Sequence, residues 1–375
     1  MTVLTNAHLV LPDAVVHGTI VIEGGLIAEI QSGTAAVPGA LDCEGDYLIP
    51  GVVDLHTDNL ERQVQPRTNA RWPSRSAMFA HDAQCAASGV TTVFDALCLG
   101  DLGFEKDRVR TFHDGVADLD ALEDTDLLKA EHFLHLRCEL PASDMLPLLD
   151  PVADHKRARL ISLMDHSPGV GQYADMDRYR ALRRKEGIDL AMIERRIVEL
   201  QAQRERLREP NKAALLARVR GTGAVLASHD DRTTEEVADN HRDGIRIAEF
   251  PVTMEAATAA KGLGMAVIAG APNLVRGGSH SGNVAAAELV REGAVDAFAS
   301  DYVPASLVEA AFGAVAEGIA LPAAIQLVSA RPAAMAGLAD RGRIEAGLRA
   351  DLVRVRVHEG LPVVRMVWRG GKRVA

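Results

Sequence analysis

The chain has 375 residues, enough for two or three domains or for one large α/β barrel with an appendage. It is 47% hydrophobic and 25% charged, which excludes intrinsic disorder and a collagen-like chain. The net charge of −11 and the 4% aromatic content argue against nucleic acid or an anionic membrane as a partner. No apolar stretch reaches the length of a membrane span, and the N-terminus lacks the basic and apolar regions of a signal peptide. Four scattered cysteines, none in C-x-x-C, fit reduced thiols and a cytoplasmic location.

In chain order, residues 1–50 read as short strands separated by Pro-Asp, His-Gly and Gly-Gly turns. Residues 340–375 read the same way, with ADLVRVRV and VVRMVWRG separated by His-Glu-Gly. The two ends are therefore expected to pair into one small β-domain, with two separate caps as the alternative. Residues 51–339 alternate short apolar runs with helical sequence. The runs are GVVDLH, VTTVFDAL, EHFLHLRCEL, ARLISLMDHS, GAVLASHD, RIAEFPV, AVIAGAPN and AVDAFASDY. Eight βα units predict a TIM-like (β/α)8 barrel of the α/β class, with its chemistry at the C-terminal strand ends.

One segment breaks the rhythm. Residues 176–220 are long helical sequence with thirteen basic and seven acidic side chains. Two kinds of reading fit: a solvated hairpin laced by ion pairs or a homo-oligomer contact, and, more sharply, a lid or rim that steers an anionic substrate.

The polar residues that end the apolar runs form a pattern. The first run gives His56 and Asp58, on one face of a strand. Later runs end in Glu139, His166, His229 and Asp301. Imidazole with carboxylate suits Zn, Mn or Fe, and six groups exceed what a single tetrahedral metal takes. They are expected to hold a binuclear divalent-metal site. Alternation turns Asp165 and Asp230 away from it. His81 and Asp82 read as structural on a helix, and His113, His132, His135 and His155 as surface or packing residues. After the seventh run, Arg276, Gly277, Gly278, Ser279 and His280 form a Gly-rich turn before a helix, suited to phosphate. Arg62 and Arg67, after the first run, are further phosphate candidates.

The strings PGVVDLHTDNLERQVQPR, AHDAQCAASGVTTVFDAL, LMDHSPGVGQY, ASHDD, AEFPVT, GAPNLVRGGSHSGN and ASDYVP carry a resemblance across nearly the whole chain. The sequence resembles the amidohydrolase superfamily of metal-dependent hydrolases. Within it, the sequence is similar to the phosphohydrolase branch of the carbon–phosphorus lyase pathway. The resemblance implies hydrolysis of α-D-ribose 1-methylphosphonate 5-triphosphate, a small phosphorylated ribose phosphonate, to the 5-phosphate and diphosphate. It implies that His56 and Asp58 hold the more buried metal, that Glu139 bridges, and that His166 and His229 hold the second metal. Asp301 would ligate and act as general base. C–N hydrolysis or deamination on the same fold, and a non-catalytic scaffold, are the competing expectations.

Overall fold

The structure is a computed structural model that describes residues 1–67, 70–103, 106–279 and 281–375. Two sheets organise it. In the first, residues from both termini pair in the order 372–373, 361–369, 352–358, 47–50, 2–10, 15–23 and 26–32, with 41–42 beside 2–10. The seam between the ends is antiparallel, placing Val353 opposite Ile49 and Leu352 opposite Pro50. One small β-unit is therefore built from both termini.

The second sheet holds eight parallel strands in sequential order: Val52–Thr57, Val90–Leu99, Glu131–Glu139, Ala158–Met164, Val225–His229, Ile247–Glu249, Ala266–Gly270 and Ala297–Ala299. All eight apolar runs of the sequence become these strands. The first and eighth meet through a bridge between Thr57 and Asp301, with Asp58 N–H donating to Asp301 O at 2.6 Å and Asp301 N–H to His56 O at 3.0 Å. The barrel closes at the residues that carry the candidate site.

One apolar cluster takes a side chain from each strand: Val53, Phe94, Phe133, Leu160, Ala227, Ile247, Ile268 and Ala297. A cluster drawn from all eight strands fills the barrel interior, so the polar ends above it stand on a packed floor. Larger clusters lie between strands and helices, the usual layering of this architecture. The four cysteines are free and buried, and among the described residues no helix is long and apolar enough to cross a membrane.

The segment expected as long helical sequence is two helices, Met176–Lys185 and Leu190–Val219, broken at Gly187 (φ 85°). Asp175 and Asp189 cap them, each side chain accepting from the first-turn N–H groups.

Candidate active site

The strand ends surround a cavity of about 350 Å³. Two groups of metal-capable atoms lie in it. His56, Asp58 and Asp301 bring one donor atom each within 4.8 Å of one another, and so do His166, His229 and Asp230. In the first group His56 Nε2 is 3.5 Å from Asp58 Oδ1. In the second, Asp230 Oδ2 lies 3.9 Å from His166 Nε2 and 3.8 Å from His229 Nε2. The groups are adjacent, since the His229 ring is 6.0 Å from His56 and 5.4 Å from His166.

Two orphaned atoms test whether cations fit. His56 Nε2 and Asp230 Oδ2 are buried and have no hydrogen-bond partner among the described residues. Buried polar atoms are nearly always satisfied, so each faces a place where a cation would complete it. The donor sets match divalent metals of the Zn, Mn or Fe type.

The imidazoles are held from behind. Glu249 Oε1 accepts from His56 Nδ1 at 2.9 Å, and its Oε2 accepts from His229 Nδ1 at 2.7 Å. Ser162 Oγ adds a third bond to Oε2 at 2.9 Å. With both Nδ1 atoms committed, both Nε2 lone pairs point toward the donor groups, the usual support of metal-binding histidines. Burial alone would depress the His56 pKa, but Glu249 and Asp58 raise it to about 10. A proton and a cation thus compete for the same nitrogen. Burial and the charge of Asp58 raise the Asp301 pKa. His135 also lies here: its Nδ1 donates to Leu55 O at 3.0 Å, and burial lowers its pKa to about 3.

Other expected residues fall differently. Both Glu139 oxygens face His166, one accepting from its backbone N–H at 2.8 Å and the other from Nδ1 at 2.7 Å. Glu139 belongs to neither donor group, so its contacts are those of a residue that orients His166. Asp230 does not turn away. Its φ of 59° breaks the strand alternation and swings the carboxylate back over the cavity. Asp165 does turn away, accepting from Arg204 Nε at 2.6 Å and Arg208 Nε at 3.1 Å. His81 and His132 are fully buried, sharing Asp95 at 2.7 and 2.8 Å.

The Gly-rich turn contributes less than its composition suggests. The chain leaves strand 266–270 directly into a helix, Ala271–Val275, which carries Arg276 and Gly277 to exposed positions and Gly278 to a half-buried one. None of these three lines the cavity, whereas Ser279 does. His280 lies outside the described residues. Arg62 is exposed and donates to the carbonyl of Tyr302, a cavity-lining residue. Arg67 is also exposed, forms a bridge with Ala70 and does not line the cavity.

Three other arginines line the cavity. Arg137 precedes Glu139 by two residues and so shares its inward face. Its Nη1 donates to Asp58 Oδ1 at 2.7 Å. Arg108 Nε donates to Glu61 at 2.7 Å, and its Nη2 lies 3.8 Å from Asp58 Oδ2. Arg183 arrives from the helical insertion, with Gln172 and Tyr173 just before it. Several charges of that insertion are paired, as in Arg180 with Glu194 and Arg218 with Asp154, and the insertion also supplies a cavity wall.

No family model matches the chain. A curated relative, alpha-D-ribose 1-methylphosphonate 5-triphosphate diphosphatase from Escherichia coli (strain K12), is 43% identical over 376 residues, covering 99% of this chain and 100% of that protein. Among solved structures, molinate hydrolase superposes with a TM-score of 0.67 at 14% identity, covering 99% of this chain and 94% of that one. N-acetyl-D-glucosamine-6-phosphate deacetylase from Mycobacterium smegmatis gives 0.65 at 16% identity, with 100% of both chains covered. These two share the barrel and its flanking β-unit at low identity and show the fold alone. The 43% identity across both full lengths carries more: the chain belongs to the family of alpha-D-ribose 1-methylphosphonate 5-triphosphate diphosphatases.

Proposed function

We propose that this protein hydrolyses α-D-ribose 1-methylphosphonate 5-triphosphate to the 5-phosphate and diphosphate, in phosphonate catabolism in the cytoplasm. The observation that carries the reading is two adjacent donor groups, His56/Asp58/Asp301 and His166/His229/Asp230, beside the buried guanidinium of Arg137 in one cavity. Cations with a flanking arginine suit a substrate whose reacting atom is surrounded by anionic oxygens. A planar base would call for apolar walls and amide donors instead.

Divalent metal ions, two of them with zinc the leading candidate, would sit in these groups, lowering the pKa of water and polarising a phosphoryl oxygen. The chain's residues do the rest. Glu249 fixes His56 and His229, and Glu139 fixes His166. Arg137 keeps Asp58 in place and presents its remaining N–H groups to the cavity. Asp301 takes a proton from the attacking water. The water oxygen bonds to the α-phosphorus as the α,β-bridging bond breaks. The bridging oxygen leaves with diphosphate.

Phosphorus NMR on metal-loaded protein in ¹⁸O-labelled water tests this. Diphosphate, with label only on the ribose 5-phosphate, is the expected result. Orthophosphate, or label in the diphosphate, overturns the assignment of attack to the α-phosphorus. An intact triphosphate overturns the function.

A further inference from the structure

Resting on that function, we propose a direction for the substrate. The phosphoryl group under attack meets Arg137, the leaving diphosphate extends toward Arg108 and Arg183, and the ribose end lies against the loop of Ser281 and Asn283.

Arg137 is 5% exposed, yet its one hydrogen-bond acceptor among the described residues is Asp58, and its Nε has no partner there. A guanidinium carries five donor N–H groups. A buried cation so lightly matched is costly in the empty site and complete once an anion arrives. The planar fork fits two phosphoryl oxygens at once. Position agrees with chemistry. Asp58 Oδ1, which accepts from Arg137, is the same atom that lies 3.5 Å from His56 Nε2. The guanidinium is one carboxylate away from the first donor group.

The cavity is asymmetric beyond that point. On the side of the second and third strands stand Arg108 and, from the insertion, Arg183, which lies over the rings of Tyr173 and Tyr179 at 5.7 and 5.1 Å. Acids stand there too: Glu61 and Asp58 beside Arg108, Glu186 beside Arg183, and Asp101 on the wall. These acids pair with the arginines, and phosphoryl oxygens would compete with them as acceptors for the guanidinium N–H groups. The wall after the seventh strand presents Ser279, Ser281 and Asn283; Arg178 of the insertion also reaches this loop, against Gly282, but does not line the cavity. Asn273, next to them, is committed to bracing its own loop through Val284 O and Ala286 N–H. Diphosphate is the most charged piece of the substrate and matches the arginine side. Ribose hydroxyls and a singly charged phosphonate ester match hydroxyl and amide groups.

Calorimetric titration of metal-loaded protein with inorganic diphosphate and, separately, with ribose 5-phosphate tests the direction without turnover. Arg108→Gln and Arg183→Gln should each weaken diphosphate binding about tenfold, the scale of a lost charge-assisted bond, and leave ribose 5-phosphate binding unchanged. Asn283→Ala should do the reverse. Diphosphate binding unchanged in both arginine variants, or weakened by Asn283→Ala instead, overturns the proposal. Arg137→Lys keeps a charge for Asp58 and removes the fork. It should lower kcat/KM about 100-fold, and an unchanged kcat/KM overturns the role of Arg137. If the wild type leaves the triphosphate intact while diphosphate binding still depends on the arginines, the subsite stands and the function falls. If it splits the triphosphate without that dependence, only the subsite falls.

Discussion

Glu249 holds His56 from 193 positions away in the sequence, its Oε1 accepting from Nδ1 at 2.9 Å across the barrel. The other oxygen of the same carboxylate holds His229. One buried acid thus sets the ring orientation of an imidazole in each donor group.

Replacing Glu249 by Gln leaves one acceptor where two are needed. The amide oxygen can serve one histidine, and its NH2 forces the other into the opposite tautomer, with Nε2 protonated. Glu249→Gln should keep the fold and lower metal affinity by about 10–100-fold, a typical cost of losing such a support. Competition with a chelator measures it. Unchanged affinity would remove Glu249 from the site.

Asp230 and Asp165 each adjoin a donor histidine and face opposite ways, Asp230 into the cavity and Asp165 onto Arg204 and Arg208. Asp230→Ala should lower bound metal by about one equivalent per chain, since a site stripped to two imidazoles falls below three ligands. Asp165→Ala should leave metal content unchanged and loosen the insertion. Elemental analysis after gel filtration separates them. Equal metal content in both variants would show that Asp230 is not a ligand.

The eight strands were legible because a barrel strand, buried on both faces, reads as a short apolar run whatever surrounds it. His56, Asp58, His166, His229 and Asp301 were legible because each ends such a run, and the structure gathers these five. Glu249 ends the sixth run and obeys the same rule, but its value lies in reaching two histidines at once, which only the closed barrel reveals. Arg137 shares a face with Glu139, so period-two alternation was its signal. Asp230 was hidden because a φ of 59° on a non-glycine residue is not written in the local sequence. Arg276 was read from composition, which marks a turn but not the side of the wall its side chain faces, and it does not line the cavity.

His132 makes stability depend on pH. Burial alone would lower its pKa, but Asp95 and Asp82 on either side raise it to about 9. An unfolded histidine titrates near pH 6.5. The imidazolium therefore contributes stability that is full below about pH 6.5 and is lost as pH rises through about 9. The difference is on the order of 3 kcal/mol. Melting at pH 6 should exceed melting at pH 9.5, and His132→Gln should reduce the dependence, leaving the part that the raised pKa of His56 contributes, while lowering stability at pH 6. A slope that His132→Gln leaves unchanged would assign it elsewhere.

Gly100 follows the second barrel strand at φ 109°, and a Cβ there would stand 2.6 Å from Ala142 Cβ and 3.2 Å from Glu139 Cβ. Gly100→Ala therefore combines a strained backbone with a push on the residue that orients His166. Gly45, in the β-unit, has φ 75° with nothing within 4 Å of its would-be Cβ, so Gly45→Ala isolates the backbone cost. That cost is about 1 kcal/mol, and the clash should take Gly100→Ala to about 3 kcal/mol. Activity decides between a general and a local effect. At a temperature where both variants are folded, Gly45→Ala should turn over normally, while Gly100→Ala should lose activity as Glu139 shifts and His166 with it. If the two variants match in both stability and rate, the close approach at Gly100 has no bearing on the site.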